Sequence, residues 1–170
     1  FLLALLLLPV PVSYAAELNI TQNLLPVNLG PYLDYFEDPE HAYTIEQMTS
    51  DSIQWQRSTQ TIPTMGMSES AHWFSIVLSG ENMLGEDLVL ALDTVILDRV
   101  EFYFVDGGTV VRTSVAGDTV PLSQLDYPYR FPIVQLEINE EGQRTKIIFR
   151  AVSSVGVEIP LSLTTVSLLA

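Results

Sequence analysis

The sequence predicts an all-β fold, an antiparallel sandwich or barrel, on two observations. About seven segments alternate apolar and polar side chains with period two, at roughly ten-residue spacing and with turn residues between them. Only one short stretch carries a helix start signal. Each strand has one apolar row, and a face-to-face pair of sheets hides all of these rows.

The chain opens on an apolar run, with 12 of its first 15 residues apolar, from Phe1 through Val12 to Ser13-Tyr14-Ala15. A spanning helix needs about 20 apolar residues, and this run holds Pro9 and Pro11. It reads as residues 1–15 of a secretory signal, cut after Ala15, whose basic start is missing because the sequence begins at Phe1. A buried N-terminal helix is the alternative. Residues 16–29 read as an extended lead-in, since Pro26, Gly30 and Pro31 break any regular element around them.

A short helix is predicted at Thr44, which can cap it, with Gln47 three residues on as the reciprocal partner and Ile45 and Met48 on one face. Residues 60–71, holding Pro63 and Gly66, read as a loop. The first clear strand follows over 72–78, with Phe74, Ile76 and Leu78 opposite Trp73, Ser75 and Val77. Leu88, Leu90 and Leu92 mark the next strand, and Val100, Phe102 and Phe104 a third. Asp106-Gly107-Gly108 then supplies a hairpin turn, and 109–115 is the return strand. Residues 122–130 are an irregular loop before strands marked by Val134, Leu136 and Ile138 and by Ile147, Phe149 and Ala151. A last strand is expected over 157–163; residues 166–170 read as the start of a linker to a membrane region lying outside the sequence.

Composition excludes several functions. With 7 Lys+Arg against 21 Asp+Glu the net charge is −14, so a phosphate backbone or an anionic membrane surface would be repelled, and nucleic acid is not expected as a partner. The absence of Cys removes disulfides, thiolate metal sites and a cysteine nucleophile, and export without Cys points to a periplasm or cell exterior.

Enzyme chemistry is poorly supported, and no catalytic residue is assigned. Histidine occurs only as His41, in an acidic loop, and His72, beside Trp73. Gly66-Met67-Ser68-Glu69-Ser70 lacks the second glycine of a nucleophile elbow. Acids are numerous enough to pair as in a glycosidase, yet most flank turns, where solvated charge guards strand edges. Asp87, Asp93, Asp98 and Asp118 could offer oxygen to a structural calcium but lack a loop spacing for it; no metal site and no cofactor are expected. Asn19-Ile20-Thr21 is a formal glycosylation sequon.

Aromatic side chains with polar tips are the better candidates. Trp73 and Tyr103 lie opposite the cleaner apolar rows, and Tyr129 shares a loop with Arg130. A sugar ring packs its C–H face on an aromatic ring while its hydroxyls take hydrogen bonds from polar neighbours, so Trp73, Tyr103, Tyr129 and Arg130 are candidate ligand contacts. Trp73 and Tyr103 are equally compatible with a place in the core or under a loop.

From Gly30-Pro31-Tyr32 onward the sequence resembles the type 2 extracellular sensor domain of bacterial seven-transmembrane receptors with diverse intracellular signalling modules. The resemblance is carried by Tyr35-Phe36-Glu37-Asp38-Pro39, His72-Trp73-Phe74 and Leu97-Asp98-Arg99-Val100-Glu101-Phe102-Tyr103. It continues through Val115-Ala116-Gly117-Asp118 with Pro121-Leu122, then Phe131-Pro132-Ile133, and ends near Pro160-Leu161. It implies a galactose-binding-like jelly roll over 30–165, on the periplasmic face of a Gram-negative inner membrane, followed by membrane helices and a cytoplasmic output. Where the family often has an Arg after its Gly-Asp-x-x-Pro segment, this chain has Ser123-Gln124-Leu125-Asp126, and the nearest Arg is Arg130.

The expected function is therefore a non-enzymatic sensor that binds a carbohydrate or similar small molecule and passes occupancy to transmembrane helices; a homodimer is compatible with this reading. The alternatives are a carbohydrate-binding module appended to a secreted hydrolase and a glycosidase fragment.

Overall fold

The computed structural model of the chain describes residues 17–81, 83–94, 96–129 and 131–169. The expected signal segment lies outside these residues. Thirteen strands are present among them, and the first six are β1 (Glu17–Ile20), β2 (Val27–Asn28), β3 (Asp34–Asp38), β4 (Gln56–Arg57), β5 (Thr64–Gly66) and β6 (Ala71–Gly80). The rest are β7 (Leu88–Leu92), β8 (Arg99–Asp106), β9 (Thr109–Ala116), β10 (Ile133–Leu136), β11 (Arg144–Val152), β12 (Val157–Glu158) and β13 (Leu161–Thr165). Among the described residues the single α-helix is α1 (Ile45–Met48). None of the described helices is long and apolar enough to cross a membrane.

Two sheets and a ribbon result. The larger sheet has the order β4-β3-β6-β11-β8-β9, with β1 beside the second half of β6; the smaller has the order β10-β7-β13-β2, and β5 pairs with β12. All pairs are antiparallel except β1 with β6, which run parallel in the register Glu17 to Val77 and Ile20 to Gly80. The period-two rows fix which faces meet. Phe74 stacks on Phe149 at 4.9 Å and Phe149 on Phe102 at 5.0 Å across three neighbouring strands. Each such pair is worth about 0.5–1.5 kcal/mol beyond the area it buries. These rings face Leu88, Leu90, Leu92, Leu161 and Leu163 of the smaller sheet in one core, so the expected all-β sandwich is the observed one.

The β8–β9 hairpin turns on Gly107 and Gly108, both at positive φ (53° and 81°), where a side chain would strain the backbone. The predicted helix is present, and Thr44 N–H donates to Gln47 Oε1 at 2.9 Å in the expected reciprocal cap. Met48 and Ile45 face Trp73 and Ile148 on the outer side of the larger sheet, making a second apolar cluster.

Three expectations need correction. The lead-in is not free of regular structure, because β1 and β2 pair with one sheet each and Leu18 and Ile20 enter the core. Residues 60–71 include β5 as well as loop. The expected last strand is two: Pro160 has no N–H to give, and around it the chain leaves β5 for β7, with Ile159 N–H donating to Pro63 O and Asp93 N–H to Pro160 O.

Candidate functional site

Three chain segments meet at one end of the sandwich around a cleft of about 170 Å³: the β7–β8 connection near Thr94 and Leu97, residues 117–125 after β9, and residues 129–132 before β10. Their approach depends on Gly117. Its φ is +126°, and a Cβ there would stand 2.6 Å from Asp98 O, so no other residue fits without displacing backbone. With the chains this close, Asp118 N–H donates to Leu97 O at 2.9 Å, and Thr119 donates to Asp98 O from both N–H (3.1 Å) and Oγ1 (2.7 Å). Asp98 Oδ2 in turn accepts from Ser154 N–H at 2.8 Å, tying the cleft to the β11–β12 connection. That carboxylate is thus used in holding loops together.

Leu97, Val120 and Phe131 are buried and form the apolar floor. Tyr129 (39% exposed) and Leu122 (71% exposed) stand at the rim, and Asp118 also lines the cleft. The Tyr129 ring meets Phe131 edge to face at 5.0 Å, and its hydroxyl donates to Leu169 O at 2.6 Å. Drug-sized molecules occupy pockets of about 300–1,000 Å³, so this volume suits a single sugar ring or something of that size. A wider hollow of about 600 Å³ lies at the other end of β8, near Asp106, Asn139 and Arg144. Beside it Gln143 Oε1 accepts from Asn139 N–H, Gln143 Nε2 donates to Thr145 Oγ1 at 3.1 Å, and Arg144 pairs with Glu17 of the lead-in at 2.9 Å.

Trp73 and Tyr103 come together elsewhere, on the outer side of the larger sheet, stacked at 6.1 Å. Trp73 is 1% exposed, covered by Met48 and its neighbours, and its Nε1–H reaches Asp38 Oδ2 at 3.4 Å. Asp38 also accepts from Ala42 and Tyr43 N–H, and so folds the following loop over the indole. Tyr103 is half-buried and donates to Glu101 Oε2 at 3.1 Å. Burial, then the neighbouring Glu101 charge, pushes its phenol up to about 12. Arg150 closes the cluster, 5.9 Å above the Trp73 ring, donating to His41 Nδ1 at 3.0 Å and lying 3.9 Å from Glu101.

Of the expected contacts, then, Trp73 and Tyr103 share one location, Tyr129 lines the cleft, and Arg130 lies outside the described residues. Reading the chain for polar aromatics missed Leu97, Asp118, Val120 and Leu122. The signal was available in Gly117-Asp118 with Pro121-Leu122, a glycine at a strand end with an acid and a proline behind it. Among the described residues no group of three or more His, Asp or Glu is placed to hold a metal ion.

The cleft thus lies at one end of a β-sandwich, where loops from three parts of the chain meet beside Tyr129 and Phe131. The sequence model described as 7TMR-DISM extracellular 2 matches residues 30–165, and the chain belongs to that family. It is an extracellular sensor domain of a membrane receptor. Among curated proteins none matches the chain significantly.

Proposed function

We propose that this domain, read as a galactose-binding-like jelly roll, senses a carbohydrate or similar small molecule at the periplasmic face of the inner membrane. The ligand occupies the cleft walled by Tyr129, Leu122 and Asp118, and occupancy is passed to transmembrane helices of the receptor. The reading is carried by one observation: segments on which the family resemblance rests, Gly117-Asp118 with Pro121-Leu122 and Phe131-Pro132, converge on this cleft. The Tyr129 ring offers the C–H face of a sugar a stacking partner, Asp118 offers its hydroxyls an acceptor, and Arg130 is carried with them as the chain neighbour of Tyr129. Tyr103, with Trp73 behind it, is the second location. Signalling requires that the ligand favour one of two receptor arrangements, because equal affinity for both shifts nothing.

The test is a thermal-shift screen against neutral mono- and oligosaccharides, since a ligand that binds only the folded state raises the melting temperature. A shift abolished by Tyr129→Ala and kept by Tyr103→Ala supports the cleft. A shift abolished by Tyr103→Ala alone moves the site to the other sheet, and a flat screen removes the carbohydrate assignment.

A further inference from the structure

We infer that the C-terminal turn (Val166–Leu168) with Leu169 is coupled to the cleft through Tyr129. This rests on the reading of the cleft as the ligand site. Two independent contacts join the parts. The Tyr129 ring lines the cleft while its hydroxyl donates to Leu169 O at 2.6 Å. Phe131, in the cleft floor, belongs to the apolar cluster on the outer face of the smaller sheet, against which Leu169 packs beside Val89 and Ala91. One side chain therefore has its ring at the cleft wall and its polar tip on the Leu169 carbonyl.

The turn is held lightly elsewhere. Val166 N–H donates to Asp87 O at 3.0 Å, while the bonds from Leu169 N–H to Val166 O at 3.2 Å and between the Thr165 and Ser167 hydroxyls at 2.9 Å stay within the turn and its start, and Val166 and Leu168 are exposed. A segment with few buried contacts opens at low free energy, so one hydrogen bond more or less is a large share of what seats it. A molecule stacking on Tyr129 must either keep the ring where it is, which secures Leu169, or turn it, which releases Leu169. Because coupling is reciprocal, displacing the turn changes ligand affinity at the cleft by the same factor by which the ligand changes the seating of the turn. Tyr129 is thus a positioning residue as well as a wall.

The test is hydrogen exchange on the full chain, reading a peptide over 164–170 against one over 144–152. Tyr129→Phe keeps the ring and removes the hydroxyl, and should speed exchange in 164–170 about five-fold with 144–152 unchanged. Leu122→Trp places an indole at the cleft rim as a stand-in for a ligand. It should change exchange in 164–170 when Tyr129 keeps its hydroxyl and have no effect there in the Tyr129→Phe background. Exchange in 164–170 within about two-fold of the parent in Tyr129→Phe overturns the coupling, as does an equal Leu122→Trp effect in both backgrounds. If the exchange results hold while no saccharide shifts the melting temperature, the carbohydrate assignment falls and the coupling of cleft to turn stands.

Discussion

Gly117 and Asp98 are in backbone contact: a Cβ on Gly117 would be 2.6 Å from the Asp98 carbonyl oxygen and 2.9 Å from its carbonyl carbon. That approach sets the hydrogen bonds from Asp118 and Thr119 that hold the cleft's two loops side by side. Gly117→Ala should therefore combine strain at φ +126° with a clash against backbone, lowering unfolding free energy by about 2–4 kcal/mol in urea titration. A loss below about 0.5 kcal/mol would show that the loops part freely.

Trp73→Ala should cost about 3–5 kcal/mol, because the ring is enclosed by Met48, Ile148 and Tyr103 and its removal leaves a hole under the α1 loop. Its effect on any saccharide affinity at the cleft should be small in comparison. A stable Trp73→Ala protein with lost binding would reverse these roles.

His72 makes stability sensitive to acid. The ring is 2% exposed, and its Nδ1 has no hydrogen-bond partner among the described residues. Burial holds the imidazole below its ordinary range, outweighing the opposite pull of Glu37 at 4.0 Å and of the Ser70 backbone. The folded state favours the neutral ring, so the unfolded chain takes up the proton first. Stability is full above about pH 6.5 and declines below it, by up to about 1.4 kcal/mol per pH unit for this one proton, until the folded ring also charges. Denaturant titrations from neutral to mildly acidic pH should show a shallower slope in His72→Phe than in the parent. Equal slopes would remove His72 as a cause.

Tyr103 acts at the alkaline end. Its phenol titrates at about 12 in the folded protein, against about 10 in an unfolded chain. The folded state disfavours the phenolate, so this contribution is intact below about pH 10 and is lost as pH rises toward the folded value. Spectrophotometric titration should show one late phenolate that is missing in Tyr103→Phe. In Glu101→Gln that phenolate should form earlier, because the neighbouring charge and acceptor are reduced. An unchanged late phenolate in Tyr103→Phe would assign it to another tyrosine.

The long strands were legible because their periodicity runs for five residues or more and each has one face in the core: Phe74-Ile76-Leu78, Leu88-Leu90-Leu92 and Phe102-Phe104 all lie where alternation puts them. The helix at Thr44 was legible from its cap alone. What escaped includes strands of two or three residues, β2, β4 and β5, which are too short to show a period and exist because a neighbour offers a free edge. Pro160 interrupts an alternation that continues through it in the sequence, and only the change of pairing partner shows why. The cleft was partly legible. Tyr129 stood out by its type, whereas Leu97, Val120 and Phe131 look like any core residues until three distant loops are seen to meet over them. Trp73 and Tyr103 were each read as lying opposite their strand's apolar row, but alternation does not reveal that the two rings stack or that a loop from 39 onward folds down across the indole.

The parallel strand β1 has a bearing on where this domain can be trimmed. Family similarity starts at residue 30, but Leu18 and Ile20 are already wedged between the layers and Glu17 grips Arg144. Shortening the polypeptide to Gly30 would bare one edge of β6 from Val77 to Gly80 while β11 keeps the other, leave two greasy sockets open to water, and invite a neighbouring molecule to add its own strand there.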